Sequence, residues 1–202
     1  MKRYAFLDLE GVLYPELWEI YAHAFTLPEL AKTTREEPDY AKLVRARIAL
    51  LKENNIKLKD LSAASAGVRP LPQAVGFVRQ LLGLGFHISV VTDAFQEIIG
   101  AGLDDLGISD IHPNHFACNT EGFITHALYA RQTGKHETLQ KILPPQAAYS
   151  IAVGDTFNDF SMLAYADQGF LFRPSESALQ HADASFHVVT EYQQIIDNIK
   201  IT

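Results

Sequence analysis

Two carboxylates, Asp8 and Glu10, follow directly on the apolar run Tyr4–Leu7 and precede Gly11. Acids this close repel each other and resist burial, so they need a compensating cation. An aspartate can attack phosphorus to form an aspartyl-phosphate, which splits one difficult step into two. The acid two residues further on lies on the same side of an extended chain, where it can protonate a leaving oxygen and later deprotonate water. The stretch is compatible with phosphoryl transfer, although an acid after a strand is often only a helix cap.

Three further groups lie along the chain, and each alone is often only a cap, a turn or a solvated charge. Together they offer what phosphoryl transfer needs. Asp8 and Asp155 could supply carboxylates to a magnesium ion, with a backbone carbonyl near Glu10 as a third ligand. Thr92 and Lys135 can bind the equatorial phosphate oxygens, where negative charge must be stabilised. The groups are Val90-Val91-Thr92-Asp93, Gly134-Lys135 and Gly154-Asp155-Thr156-Phe157-Asn158-Asp159.

Short apolar runs alternate with helical patterns, which is typical of a mostly parallel sheet with helices on both faces. Ligands in such folds bind beyond the carboxyl ends of the strands. We expect Asp8, Asp93 and Asp155 each to lie just past a strand, so that three carboxyl-bearing strand ends converge on one crevice. The predicted strands are Tyr4–Leu7, His87–Val91, His115–Ala117, Tyr149–Val153, Gly169–Phe172 and Phe186–Val189, and the predicted helices between them are Leu71–Leu84, Phe95–Leu106, Lys135–Leu143, Asp159–Ala166 and Tyr192–Ile199.

The segment from about Pro15 to Ser65 breaks this alternation because its pattern is helical throughout. Its candidate helices are Glu16–Phe25, Pro38–Asn54 and Leu58–Ser65. We predict a helical cap domain over the crevice at residues 14–67, inserted into a catalytic core of residues 1–13 and 68–202. Prolines near residue 70 mark the return to the core.

The chain has 202 residues and a formal net charge of -7, which disfavours a sequence-independent grip on nucleic acid. No apolar stretch approaches the length of a membrane span, so no membrane partner is expected. Cys118 is the only cysteine, so no intramolecular disulfide can form and a cytoplasmic location is the simplest expectation. We expect Cys118 to be a small buried residue at a strand end, and Arg131 and Lys141 to be surface charges.

The four ordered groups resemble the motifs of the haloacid dehalogenase (HAD) superfamily of phosphohydrolases over the whole core. The resemblance implies a three-layer α/β/α parallel sheet (HAD-like, Rossmannoid) with a helical cap, and Mg²⁺ as cofactor. It implies that Asp8 is the nucleophile and Glu10 the acid/base, with Thr92 and Lys135 as phosphate anchors. It also implies a metal site formed by Asp8, Glu10, Asp155 and Asp159, the last as a supporting residue. Asp93 and Asn158, in the second and fourth motifs, are expected at the substrate.

Within that superfamily the chain is most similar to phosphoserine phosphatases. The segment Tyr40–Leu51 resembles their cap helix, which implies that Arg47 binds the carboxylate of O-phospho-L-serine, while Glu16 matches the acid that binds its ammonium group. An arginine can grip a carboxylate bidentately. Without that resemblance, Arg47 would be read as a solvated helix face and Glu16 as a charge at a helix N-terminus.

Glu10 departs from the superfamily, most of which has Asp there. Together with Pro15–Trp18 and Thr33–Tyr40, it resembles a bacterial subgroup of phosphoserine phosphatases that can also transfer the phosphoryl group to homoserine. Because a glutamate reaches about 1.5 Å further than an aspartate, we hypothesise that it helps an amino alcohol compete with water.

Two alternatives stay open at this point: a phosphatase for another small phosphomonoester, and a non-catalytic phosphate-binding module. The oligomeric state and the balance of hydrolysis and transfer also stay open.

Overall fold

The computed structural model describes residues 2–34, 36–37, 39–99, 105–147 and 149–200. A seven-stranded sheet forms its centre, in the order β4-β3-β2-β1-β5-β6-β7. All neighbouring strands are parallel except β3 and β4, which form an antiparallel pair. The strands are β1 (Arg3–Leu7), β2 (Phe86–Phe95), β3 (Ile111–Cys118), β4 (Ile124–Leu128), β5 (Tyr149–Gly154), β6 (Gln168–Phe172) and β7 (His187–Val189).

Helices cover both faces of this sheet. The helices are α1 (Leu17–Phe25), α2 (Tyr40–Glu53), α3 (Leu58–Ser65), α4 (Ala74–Gly83), α5 (Gln96–Ile99), α6 (His136–Ile142), α7 (Phe160–Tyr165), α8 (Glu176–His181) and α9 (Tyr192–Asn198), with 3₁₀ turns at Pro28–Ala31 and Phe157–Asp159. Successive strand residues point to opposite faces. Leu7 and Val153 therefore pack in one apolar cluster with Phe77 of α4, while Phe6 packs in another with Met162 of α7. This is the predicted three-layer α/β/α fold.

The segment between β1 and α4 adds α1, α2 and α3 beyond the carboxyl ends of the strands. An apolar cluster contains Tyr21, Leu51 and Leu61 from these helices together with Phe95 and Phe116 from the sheet. The rings of Phe95 and Phe116 stack with their centroids 3.7 Å apart. The inserted helices thus share their apolar packing with the ends of β2 and β3. The division into a core and a cap at residues 14–67 stays a prediction.

Several predicted elements differ in extent from the observed ones. Thr92 and Asp93 lie inside β2 and not after it, because β2 continues beyond its pairing with β1, shifts register and pairs again with β3 at Phe95. Of the predicted helix Phe95–Leu106, the described residues show α5 only at Gln96–Ile99, and residues 100–104 lie outside the described part. Pro38, the predicted start of a cap helix, also lies outside it. Strand β4 and helix α8 were not predicted.

Two predictions about single side chains are wrong. Cys118 is exposed at the end of β3, where the pairing with β4 shifts register after Ala117. Arg131 is buried, because polar groups of β2 and β3 surround it. Among the helices that the structure describes, none combines the length and apolar character of a bilayer span.

Candidate active site

A cleft of about 260 Å³ lies beyond the carboxyl ends of the strands, beneath the inserted helices. It is lined by residues of β2, residues that directly follow β1 and β5, Lys135 just before α6, and residues of the inserted segment, as expected at the carboxyl edge of a parallel sheet. Every site residue predicted from the sequence lines this cleft except Asp159, which lies fully buried behind it. The lining residues among the predicted set are Asp8, Glu10, Glu16, Arg47, Thr92, Asp93, Lys135, Asp155 and Asn158.

Lys135 links two of the carboxylates at the base of the cleft. Its Nζ atom lies 2.7 Å from Asp8 Oδ1 and 2.7 Å from Asp159 Oδ1, and all three side chains are buried. Burial lowers the pKa of Lys135, but the charges of Asp159 and Asp8 outweigh that effect and raise the pKa above its usual range. Lys135 is therefore a permanently charged cation fixed beside Asp8.

Asp159 is also tied to the turn that follows β5. Its Oδ2 atom accepts hydrogen bonds from the backbone N–H groups of Asp155 at 2.9 Å and Thr156 at 3.0 Å. Together with the bond from Lys135, these bonds occupy both of its oxygens. The side chain of Asp159 thus holds the turn and the lysine in place, which leaves the carboxylate of Asp155 facing the cleft.

Asp8, Asp155 and Asp159 form an acidic cluster in which one carboxylate oxygen of each lies within 4.8 Å of the others. Burial and the charge of Asp159 raise the pKa of Asp8 well above its usual range, although Lys135 opposes the shift. Burial and the same charge raise the pKa of Asp155 to about 8. The single positive charge of Lys135 thus does not balance the three carboxylates of the cluster. Hard oxygen donors at this spacing fit a divalent cation; the carboxylate of Glu10 is not part of this cluster.

Two glycines allow the acidic cluster to form. Gly11 has a φ of +75°, and a Cβ atom there would collide with the carboxylate of Asp155. A Cβ atom on Gly154 would collide with the side chain of Asp159. A side chain at either position would displace an acid of the cluster, so the glycines are required by close approach and, at Gly11, also by backbone conformation.

Glu10 connects the sheet to the first inserted helix. Its Oε1 atom accepts a hydrogen bond of 2.8 Å from the backbone N–H of Leu17, the first residue of α1. Burial, with the charge of Glu16 adding to it, raises the pKa of Glu10 to about 8. A carboxyl group with that pKa can both donate and accept a proton near neutral pH.

Arg47 of α2 is buried in the roof of the cleft and not solvated. Its Nε atom donates to the carbonyl of Leu30 at 3.1 Å and Nη2 donates to the carbonyl of Lys32 at 2.5 Å. Its Cζ atom lies 4.3 Å from the ring centroid of Trp18. Nη1 has no hydrogen bond to the described residues. The guanidinium is thus fixed with one nitrogen uncommitted, while Glu16 is an exposed residue at the same cleft.

Thr92 and Asp93 form the β2 side of the cleft. Thr92 is buried, and its Oγ1 atom accepts a 3.0 Å hydrogen bond from the backbone N–H of Ala94. This bond leaves the hydroxyl proton available to a ligand. Asn158 is exposed at the opposite rim, in the 3₁₀ turn after β5. Thr92 therefore has the geometry of an anion donor.

Sequence reasoning missed two residues beside this site. The carboxylate of Asp93 accepts a 3.0 Å bond from the buried guanidinium of Arg131, and the Asp93 carbonyl accepts a 3.0 Å bond from the hydroxyl of Tyr40. Arg131 belongs to none of the four motifs, and Tyr40 lies in the segment that resembles the cap helix but was given no role there. The one available signal for Arg131 was its position four residues before Lys135, and a tyrosine at the start of a predicted helix gives no indication of its partner.

Comparisons with known proteins identify the family. The chain is 34% identical over 179 residues to a phosphoserine phosphatase of Pseudomonas syringae pv. tomato, an alignment that covers 87% of this chain and 73% of that protein. The chain belongs to the phosphoserine phosphatase family of the HAD superfamily. It is also 31% identical over 193 residues to phosphoserine phosphatase ThrH of Pseudomonas aeruginosa, covering 95% and 92% of the two chains. No family model matches the chain.

Solved structures of phosphoserine phosphatases share the fold. One is a substrate-bound complex with a TM-score of 0.82 and 20% identity, aligned over 99% of both chains. Another is a phospho-aspartyl intermediate analogue with a TM-score of 0.81 and 22% identity, aligned over 99% of this chain and 100% of that one. These structures show the fold, and the two named relatives make the protein a phosphoric monoester hydrolase of the predicted superfamily.

Proposed function

We propose that the protein is a Mg²⁺-dependent phosphoserine phosphatase that acts through an aspartyl-phosphate on Asp8. One observation carries the proposal: a single cleft holds Asp8 paired with Lys135, and also Arg47 with an uncommitted nitrogen and the exposed carboxylate of Glu16. Asp8 and Lys135 match the phosphate of O-phospho-L-serine, Arg47 matches its carboxylate, and Glu16 matches its ammonium group. The names of the two Pseudomonas relatives support the same substrate.

In the first half-reaction, Lys135 and the hydroxyl of Thr92 bind the equatorial phosphate oxygens and stabilise the charge that develops on them. A carboxylate oxygen of Asp8 attacks phosphorus, and the bond from phosphorus to the serine oxygen breaks. Glu10 donates its proton to that oxygen as serine leaves. A pKa of about 8 means that Glu10 carries the required proton at neutral pH.

In the second half-reaction, Glu10 accepts a proton from water, and the water oxygen attacks the phosphorus of the aspartyl-phosphate. Inorganic phosphate leaves and Asp8 is regenerated. Bound Mg²⁺ supplies the positive charge that lets Asp8, Asp155 and a phosphate dianion share one site. Asp8 and Asp155 would hold the ion, with the backbone at Glu10 as a further ligand. Asp159 would support it by fixing Lys135 and the 155–156 turn.

The inserted helices would select the amino-acid part of the substrate. In this proposal Arg47 binds the carboxylate and Glu16 binds the ammonium, while Asp93 and Asn158 line the sides of the substrate. The helices of residues 14–67 then act as a cap over a core of residues 1–13 and 68–202, and they must open to admit substrate and close to exclude water.

A second activity, transfer of the phosphoryl group to homoserine, rests on Glu10. Its carboxylate reaches the backbone N–H of Leu17, so the acid/base sits closer to the inserted helices than a shorter aspartate would. A base in that position favours an amino alcohol held by the same helices over water. In Glu10→Asp, the ratio of phosphate release to phosphohomoserine formation should rise, and an unchanged ratio would contradict this role.

The deciding experiment measures turnover of L-phosphoserine with and without homoserine, in EDTA and after Mg²⁺ is restored, following phosphate and phosphohomoserine together. We expect activity only with Mg²⁺, and none in Asp8→Asn, whose fold is checked by circular dichroism. Asp197→Asn, an exposed acid on α9, is the matched control. Substantial turnover by Asp8→Asn, or indifference to EDTA, would refute the mechanism.

The substrate assignment has its own test. Arg47→Met should raise KM for phosphoserine while leaving hydrolysis of a generic aryl phosphate nearly unchanged, because the aryl ester has no carboxylate for Arg47 to bind. If the parent enzyme hydrolyses the aryl phosphate but not phosphoserine, the phosphoryl-transfer mechanism stands and the roles of Arg47 and Glu16 are refuted.

A further inference from the structure

Arg131 is a buried cation that contacts two neighbouring strands near the cleft. Its side chain is 5% exposed. The Nη2 atom donates to the carbonyl of Thr92 at 2.5 Å and to Asp93 Oδ1 at 3.0 Å. The Nη1 atom donates to the carbonyl of His112 on β3 at 2.9 Å. A planar fork with several donors can satisfy acceptors on different strands at once, whereas a lysine presents a single point charge.

A second buried side chain reinforces this connection. Asn114 of β3 donates from Nδ2 to the carbonyl of Asp93 at 2.9 Å, and its Oδ1 atom accepts from the backbone N–H of Ala130 at 3.0 Å. The chain at residues 130–131 is therefore bound to residues 92–93 by two independent polar side chains. Buried networks whose members are all satisfied hold one defined arrangement.

The segment that starts at Arg131 leads directly to Lys135. Its next two residues, Gln132 and Thr133, donate their backbone N–H groups to the carboxylate of Glu137 in α6. The segment is thus fixed at Arg131 on one side of Lys135 and at Glu137 on the other. The distance between Thr92 and Lys135 consequently depends on the contacts of Arg131.

We infer that Arg131 is a positioning residue for phosphoryl transfer: it sets the separation of Thr92 and Lys135 and neutralises Asp93 where that carboxylate lines the cleft. This inference rests on the proposed function, in which Thr92 and Lys135 bind the phosphate. Loss of Arg131 would release the Thr92 carbonyl and leave the charge of Asp93 unpaired beside an incoming phosphate dianion. Both effects weaken phosphate binding and leave the recognition of the amino-acid part intact.

The test compares Arg131→Met and Arg131→Lys with Arg79→Met, an exposed arginine on α4 that serves as the matched control. The readouts are kcat/KM, competitive inhibition by inorganic phosphate, and competitive inhibition by L-serine, all at a temperature well below each variant's Tm. For Arg131→Met we expect kcat/KM to fall about 10- to 100-fold and the inhibition constant for phosphate to rise about tenfold, with that for serine within about twofold. The control should match the parent enzyme.

A merely structural role gives a different pattern. Parallel weakening of phosphate and serine inhibition, in step with a lower Tm, would overturn the inference, as would an unchanged phosphate constant in a folded variant. If Arg131→Met does not fold, Arg131→Lys decides: we expect its phosphate constant to rise at least threefold, and an unchanged value refutes the role. If the parent enzyme does not hydrolyse phosphoserine, the proposed substrate fails, and the phosphate constants measured with an aryl phosphate still test Arg131.

Discussion

Withdrawal of the divalent cation should destabilise the protein in a pH-dependent way, because protons and the cation compete for the acidic cluster. The folded state raises the pKa of Asp155 from 3.8 to about 8. The folded state therefore binds this proton more tightly than the unfolded state does. Stability from the bound proton is fully present below pH 3.8 and is lost as the pH rises to about 8.

The magnitude follows from the size of the shift. At pH 6, which is two units below the folded-state pKa, the bound proton contributes about 2.7 kcal/mol to the free energy of unfolding. At pH 8 its contribution is only about 0.4 kcal/mol. The metal-free protein should thus lose about 2 kcal/mol of stability between pH 6 and pH 8 through Asp155 alone. Asp8 and Glu10, whose pKa values are also raised, shift the result in the same direction.

The assay is thermal unfolding in EDTA and in saturating Mg²⁺ at pH 6 and pH 8. For a chain of this length, about 2 kcal/mol corresponds to roughly 4–8 °C in Tm. The Mg²⁺-induced rise in Tm should be larger at pH 8 than at pH 6 by that amount, because at pH 6 the ion must displace a proton. Subtracting the Tm in EDTA from the Tm in Mg²⁺ at each pH removes the contribution of residues that titrate elsewhere in the protein.

Asp155→Asn removes the titrating group and the anionic ligand together. We expect this variant to show a smaller Mg²⁺ effect that differs less between the two pH values than in the parent, because only Asp8 and Glu10 still titrate there, and to be more stable than the parent in EDTA at pH 8. Asp197→Asn should behave like the parent. An equal Mg²⁺ shift at the two pH values in the parent protein, or a larger one at pH 6, would refute the charge argument.

Three further substitutions test other contacts. Lys135→Met should lower the free energy of unfolding at pH 8 by about 3–5 kcal/mol, measured in urea, because two buried carboxylates lose their cation; a loss below 1 kcal/mol would contradict the ion pairs. Trp18→Leu should raise KM for phosphoserine about 2- to 30-fold through Arg47, which loses the ring beneath it, and an equal effect on an aryl phosphate would argue against that route. Tyr40→Phe should cost about 0.5–1.5 kcal/mol of stability by removing the bond to the Asp93 carbonyl, and no change in urea would show that the bond contributes nothing.

Much of the fold follows from local sequence. The runs behind β1, β5 and β6 are continuous and apolar because both faces of a central parallel strand are buried. Strand β4 was missed because it is an edge strand whose pattern, with Ile124 buried and Thr125 and His126 exposed, is too short to stand out from a loop. The extension of β2 through Thr92 was missed because the register shift with β3 depends on the partner strand.

The candidate site was likewise predicted in part from the sequence. The acids and Lys135 were predicted to converge because each lies at or near a strand end or helix start, and the topology brings these ends together. Arg131 was assigned to the surface because its acceptors, the carbonyls of Thr92 and His112, belong to distant segments. Backbone carbonyls carry no signature in the sequence, so residues that act through them are the ones that sequence reasoning overlooks.

The order of strands in the sheet also determines when the site can assemble during synthesis. Strand β1 leaves the ribosome before the other six strands of the sheet, yet its partners on either side are β2 and β5, and β5 ends only at Gly154. Asp8 therefore lies beside the other acids of the cluster only after the distant residues 149–159 have been synthesised and have folded against β1. Contacts of such long sequence separation form slowly. Nascent chains that stop before residue 135 would hold the inserted helices and the nucleophile but neither Lys135 nor Asp155, so the acidic cluster and its lysine come together only after β5 has been made.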